Sequence, residues 1–140
     1  MKIILDLKVV MDTNVFVSGV FFSGPPYQIL KAWQLGQFEL IVTSEILEEY
    51  QRVGVILAEE HPSIDLKPML TFLIEHAKVY RSAKLKEPVC EDPDDDKFIA
   101  CALASGSRVI ISGDKHLLKV SGYQGIEVLK PRQFIDRYLG

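Results

Sequence analysis

The sequence predicts an α/β fold, a three-layer αβα sandwich around a central, mostly parallel, five-stranded sheet. Three observations predict it. Short apolar runs such as Val9-Val10-Met11 and Val109-Ile110-Ile111 are continuous rather than alternating, the pattern of strands buried on both faces. Between them lie longer segments whose apolar residues recur at helical spacing. The two kinds of segment alternate along the chain, the order that builds a parallel sheet from crossover units.

Each element has its own signal. Val9-Val10-Met11 breaks off at Asp12-Thr13-Asn14, a strand with a polar carboxyl end. Val15–Phe22 is apolar and helical, and a second helix runs from Pro25-Pro26 to Gly36, since proline is tolerated in a first turn. Its stripe of Ile29, Leu30 and Trp33 is either core or a dimer face. Phe38–Val42 is the second strand, and Thr43 and Ser44 are cap candidates for a helix carrying Ile46, Tyr50, Val53 and Leu57 on one stripe. A helix from about Asp65 to His76 leads into a short third strand, Ala77–Tyr80. The run Glu91-Asp92-Pro93-Asp94-Asp95-Asp96 opens a helix from about Asp95 to Ser105, closed by Gly106. Val109–Ser112 and Ile126–Leu129 are the fourth and fifth strands, and Pro131 starts a terminal helix. Residues 1–140 read as a single domain, with residues 1–7 an extra strand or a tail.

Composition narrows the class. A 48 % hydrophobic content without low-complexity tracts belongs to a globular protein. With no apolar run near 18 residues and no signal-peptide pattern, the expectation is a cytoplasmic protein without a membrane partner. Cys90 and Cys101 lack metal or disulfide spacing and read as reduced thiols, and His61 and His76 as surface residues. The net charge of −3 offers no bulk attraction to a polyanion, so local basic patches and metal ions must supply it. Lys78, Arg81, Lys84 and Lys86, and separately Lys115, His116 and Lys119, are either solvated edges or rims for a phosphate backbone.

The acids carry the chemistry. Five carboxylates among residues 91–96 repel one another unless solvated or sharing a cation. Ligands of an open parallel sheet bind beyond the carboxyl ends of its strands, where Asp12 and Asp114 both fall. Helix phase, at about 100° per residue, sets Glu49 on the border of the buried stripe and sends Glu48 to the opposite side. The same phase makes Asp96 the inward carboxylate and rotates Asp95 away. Asp12, Glu49, Asp96 and Asp114 would then meet in one cleft with no Lys or Arg placed there by sequence. Such a set shares protons or holds hard cations, so Mg²⁺ or Mn²⁺ is the expected cofactor. Held in pairs, these ions both activate a water and steady the leaving oxygen of a phosphodiester.

The segments 9–19 (VVMDTNVFVSG), 43–50 (TSEILEEY), 92–102 (DPDDDKFIACA) and 110–118 (IISGDKHLL) resemble, in order, the successive motifs of the PIN-domain family. The branch they resemble is that of toxin components of toxin–antitoxin systems. The resemblance implies a metal-dependent endoribonuclease, often a homodimer or tetramer, acting on single-stranded RNA and partnered by an antitoxin. It carries the four acids of the family onto Asp12, Glu49, Asp96 and Asp114, with Asp12, Asp96 and Asp114 as metal ligands. Glu49 would complete the metal shell or orient the attacking water. Thr13, Asn14 and Ser112 fall on supporting positions, and Asp92 on a secondary ligand or helix-start position. His116 stands where an acid is common in the family. Two other readings are an RNA-processing or RNA-binding protein without a toxin role, and phosphoryl transfer to Asp12. Asn14 replaces the second Asp that a phosphatase of the latter kind needs.

Overall fold

The computed structural model describes residues 7–140, so the extra strand or tail read over residues 1–6 lies outside the described residues. Five parallel strands form the sheet in the order β3-β2-β1-β4-β5: β1 (Lys8–Met11), β2 (Glu39–Val42), β3 (Lys78–Val79), β4 (Val109–Ile111) and β5 (Glu127–Leu129). β1 is central, pairing Val9 with Leu40 on one side and with Val109 on the other. Val9, Val10, Met11, Leu40, Ile41, Val42, Ile110 and Ile111 are almost wholly inaccessible, as continuous apolar strands covered on both faces must be.

Helices α1 (Thr13–Phe21), α2 (Pro25–Gln34), α3 (Ser44–Glu60), α4 (Lys67–His76), α5 (Asp96–Ser105), α6 (Lys115–Leu118) and α7 (Pro131–Phe134) surround the sheet. α7 continues as a π-type turn over Ile135–Leu139. The stripe of Ile29, Leu30 and Trp33 is core: all three are buried, and Trp33 meets Phe72 of α4 edge-on at 4.9 Å. α1 and α2 approach closely at Gly19, where a Cβ would lie 2.6 Å from Leu30 Cδ1 and 2.7 Å from the Pro26 carbonyl. Gly106 closes α5 at φ 75°, the left-handed conformation that glycine adopts without a Cβ penalty.

Two elements depart from the expectation. The helix read from Asp95 begins instead as a 3₁₀ turn, Pro93–Asp95, before α5 proper. The four-residue α6 is too short for periodicity to reveal. Among the described residues no helix is long and apolar enough to cross a membrane.

Candidate active site

β1 delivers Asp12 to the carboxyl edge of the sheet. Its backbone N–H still bonds the Ile111 carbonyl of β4 at 3.0 Å, while its side chain caps α1, with Oδ1 accepting from the Val15 N–H at 2.8 Å. The other oxygen, Oδ2, accepts from the Ser112 hydroxyl. Ser112 lies just past β4, is fully buried, and its Oγ also accepts from the Asp114 N–H at 2.9 Å. One hydroxyl thus ties together the two strand ends that carry Asp12 and Asp114. Asp114 in turn caps α6, accepting from the His116 N–H at 2.7 Å.

Tyr50 sets the depth of α3. Its hydroxyl donates to the Met11 carbonyl at 2.6 Å, and its ring stacks on Phe16 at 4.2 Å with the planes nearly parallel. This anchors the residue next to Glu49 against the last residue of β1. Glu49 then accepts from the Thr13 hydroxyl at 2.6 Å through Oε1 and pairs with the Lys97 ammonium through Oε2. Lys97 is buried and also reaches Asp94 at 2.9 Å. Burial pulls the Lys97 ammonium down, but its hydrogen bonds to Glu49 and Asp94 outweigh that and hold it above its ordinary value. Helix phase places no cation beside Glu49, so this partner is new. The i,i+3 spacing from Asp94 to Lys97 is readable in the sequence, whereas the contact with a residue 48 positions earlier is not.

The acidic run divides differently from the helix-phase expectation. Asp96, expected to point inward, turns back: Oδ1 accepts from the Cys90 N–H at 2.7 Å and Oδ2 from the Val89 N–H at 3.2 Å. Asp95, expected to rotate away, is half-buried and lies within the influence of the Asp114 charge. Its Oδ2 is a buried oxygen without a hydrogen-bond partner among the described residues. The physical reason is position along the helix axis. Phase about the axis decides which side faces the sheet, but side chains of a first turn also lean beyond the helix N-terminus. The 3₁₀ turn also winds more tightly than the regular α-helix on which that phase depends. Asp92 takes the helix-start position, accepting from the Asp94 N–H at 3.0 Å, and is exposed, as are Glu91, Asp94 and Asn14.

Electrostatics tie both Asp12 and Asp95 to the charge of Asp114. Burial pushes the Asp12 carboxyl up to about 6 against the pull of its Ser112 and Val15 hydrogen bonds, and the charges of Asp114 and Glu49 add to the rise. Burial also raises Asp95 to about 6, reinforced by Asp114, Asp92, Asp94 and Asp12. The charge of Asp114 thus opposes ionisation of both Asp12 and Asp95, and Glu49 is the acid neutralised by a lysine. The Cys90 thiol, desolvated and hydrogen-bonded to Asp96, is pushed up to about 12, and Cys101, buried in the core, likewise to about 12. Neither is a nucleophile near neutral pH.

By residue type the donors suit a hard divalent cation: they are carboxylates, and one has a buried oxygen that lacks a donor. Among the described residues no three acid, His or Cys side chains already stand gathered for an ion. Asp12 and Asp114 are turned instead to the hydroxyl and amide donors named above. Elsewhere His61 packs edge-on against Phe22 at 5.2 Å and His76 lies tilted against Phe72 at 4.2 Å, both in aromatic contacts away from these acids.

A PIN domain family model matches residues 8–116. An uncharacterized protein of Methanocaldococcus jannaschii is 29 % identical over 150 residues, covering 96 % of this chain and 93 % of that protein. The match to the family runs from β1 through the start of α6, and so takes in every acid placed above. The chain therefore belongs to the PIN domain family, whose members are generally nucleases that use divalent metals to hydrolyse nucleic acid.

Proposed function

We propose that this protein is an Mg²⁺- or Mn²⁺-dependent endoribonuclease whose ion is held by Asp12, Asp95 and Asp114. Asp95 replaces Asp96 in this assignment because one Asp95 oxygen is buried without a donor, whereas both oxygens of Asp96 hold the amides of Val89 and Cys90; Asp12, whose oxygens are also engaged, would exchange the Ser112 hydroxyl for the ion. The single observation that carries the reading is the buried, donorless Asp95 oxygen set among the charges of Asp12 and Asp114. A divalent ion, when bound, supplies the positive charge that activates a water and steadies the leaving oxygen of a phosphodiester.

The chain's own residues do the rest. Ser112 orients Asp12 and fixes its spacing from Asp114 through one hydroxyl. Thr13 and Lys97 hold Glu49 with both oxygens occupied, which makes it a rigid carboxylate beside the cluster. The Lys97 pairing favours orienting the attacking water over ligating the ion directly, because an ammonium beside a ligand carboxylate would compete with the cation. Mn²⁺ or Mg²⁺ should raise the melting temperature, since a ligand bound only to the folded state at a hundredfold its Kd adds about 2.7 kcal/mol. The same ions should support cleavage of single-stranded RNA and EDTA should end it. No cleavage with either ion, at ion concentrations where the melting shift is saturated, would sink the reading.

The finer role we assign is that of a toxin held in check by an antitoxin protein, acting as a homodimer or tetramer. Its support is the ordered resemblance of the four motifs to that branch. Inducing the protein alone should arrest growth, and co-expression of the product of an adjacent gene should restore it. Undisturbed growth at full induction of an RNA-cleaving protein would place it among RNA-processing enzymes instead.

A further inference from the structure

Beyond the acidic centre, a cavity of about 660 Å³ opens beside α6 and the end of β5. Lys115, Lys119 and Lys130 bring positive charge to its lining beside the His116 imidazole, and among the described residues Glu91 is the acid there. This is the reverse of the chain as a whole, whose net charge is −3. Leu118 and Val128 supply an apolar wall, and the volume is within the range of pockets that hold small organic groups. Glu91 occupies the cationic side: its Oε2 lies 3.0 Å from His116 Nδ1 and 3.6 Å from Lys119 Nζ. The cavity is joined to the acidic centre through one turn of chain, because the His116 whose ring faces Glu91 donates its backbone N–H to Asp114.

A carboxylate oxygen placed between an imidazole and an ammonium marks where an anionic oxygen is favoured. Basic side chains around a partly apolar recess suit a nucleotide, with lysines for the phosphate and apolar wall for sugar or base. We propose that this cavity is a subsite for a nucleotide flanking the scissile bond, and that Glu91 fills the phosphate position until nucleic acid displaces it. The substrate class rests on the nuclease reading, but the binding site does not depend on cleavage. Nucleic acid arriving here replaces Glu91 with a phosphate as the partner of His116 and Lys119. Glu91 is therefore an antagonist of binding, and its removal has the opposite sign to removal of the lysines.

The test is binding of a fluorescent single-stranded RNA decamer to the 140-residue protein in EDTA, read by anisotropy over a range of salt. Lys119→Gln/Lys130→Gln should weaken binding at least tenfold. It should also flatten the slope of log affinity against log salt by about 1.4, since each phosphate that a single strand no longer has neutralised removes about 0.7. Glu91→Gln should tighten binding severalfold. Lys31→Gln/Lys67→Gln makes the same charge change on exposed residues of α2 and α4, outside the cavity, and should have the smaller effect. Melting curves of all variants control for folding. Equal weakening in the two double variants, or a Glu91→Gln protein that binds no tighter than wild type, would overturn the proposal. A wild-type protein that binds in this pattern yet cleaves nothing with Mn²⁺ would instead remove the nuclease reading and leave the cavity standing.

Discussion

Asp12→Asn is expected to lower RNA cleavage by at least a hundredfold while making the metal-free protein more stable at pH 8. The two effects have one cause, a buried carboxylate whose ionised form is opposed by desolvation and by its neighbours. The asparagine keeps the cap on α1 with its one oxygen, because Asn and Asp cap helices about equally well, and its NH2 group takes the place of the oxygen facing Ser112, whose hydroxyl turns to accept from it. What it loses is the charge. The folded-state value of about 6 lies above an ordinary carboxyl near 3.8, so the folded protein binds this proton more tightly than the unfolded chain. The stability that follows is fully present below the unfolded value and disappears as pH rises through about 6. A shift of about two units corresponds to at most about 3 kcal/mol, and relaxation brings the expected gain in Asp12→Asn to about 1–3 kcal/mol at pH 8. Thermal melts of both proteins in EDTA from pH 4 to 8 check this: the gap should open as pH rises and close near pH 4. Adding Mn²⁺ should raise the wild-type melting temperature and leave the variant nearly unmoved. A pH-independent gap, or a variant that still turns over RNA, would remove Asp12 from the centre of the site.

Asp95→Asn and Asp96→Ala should part company, although the residues are adjacent. Asp95→Asn removes a charge from the acidic cluster at an oxygen that has no donor, so activity should fall about a hundredfold with stability unchanged or slightly raised. Asp96→Ala removes the acceptor for two backbone N–H groups, those of Val89 and Cys90. An unsatisfied, partly buried donor costs about 1–3 kcal/mol, so this variant should melt lower yet keep most of its activity below its transition. Cleavage rates at 20 °C measured beside melting curves separate the two. The inverse pattern, a stable but inactive Asp96→Ala, would return the metal-ligand role to Asp96.

These two residues show where sequence reasoning reaches its limit. That an acid of the run between Asp92 and Asp96 belongs to the site follows from the strand-end rule and the helix that starts there. Which acid it is depends on a 3₁₀ turn over Pro93–Asp95 and on amides from the preceding loop. A helical wheel contains neither. Glu49 illustrates the complementary case. Helix phase singles it out from Glu45 and Glu48, and the structure places it against Thr13, but its partner Lys97 comes from another helix and is invisible to spacing.

By itself the sequence determined the architecture, and from it came the expectation of where the site lies. Continuous apolar strands must be covered on both faces, alternation with helices makes them parallel, and a parallel sheet presents its ligands at one edge. Asp12 and Asp114 are legible there because they sit directly at or near strand ends, where the backbone alone sets their location. Only the tertiary structure decided which carboxylate oxygens are free, which are capped and which are neutralised. It alone shows the open, lysine-lined recess beside α6 and β5, with the exposed Glu91 at its rim. The reason is physical: periodicity fixes a side chain's angle about its own element, whereas its hydrogen-bond partners come from elements distant in the chain.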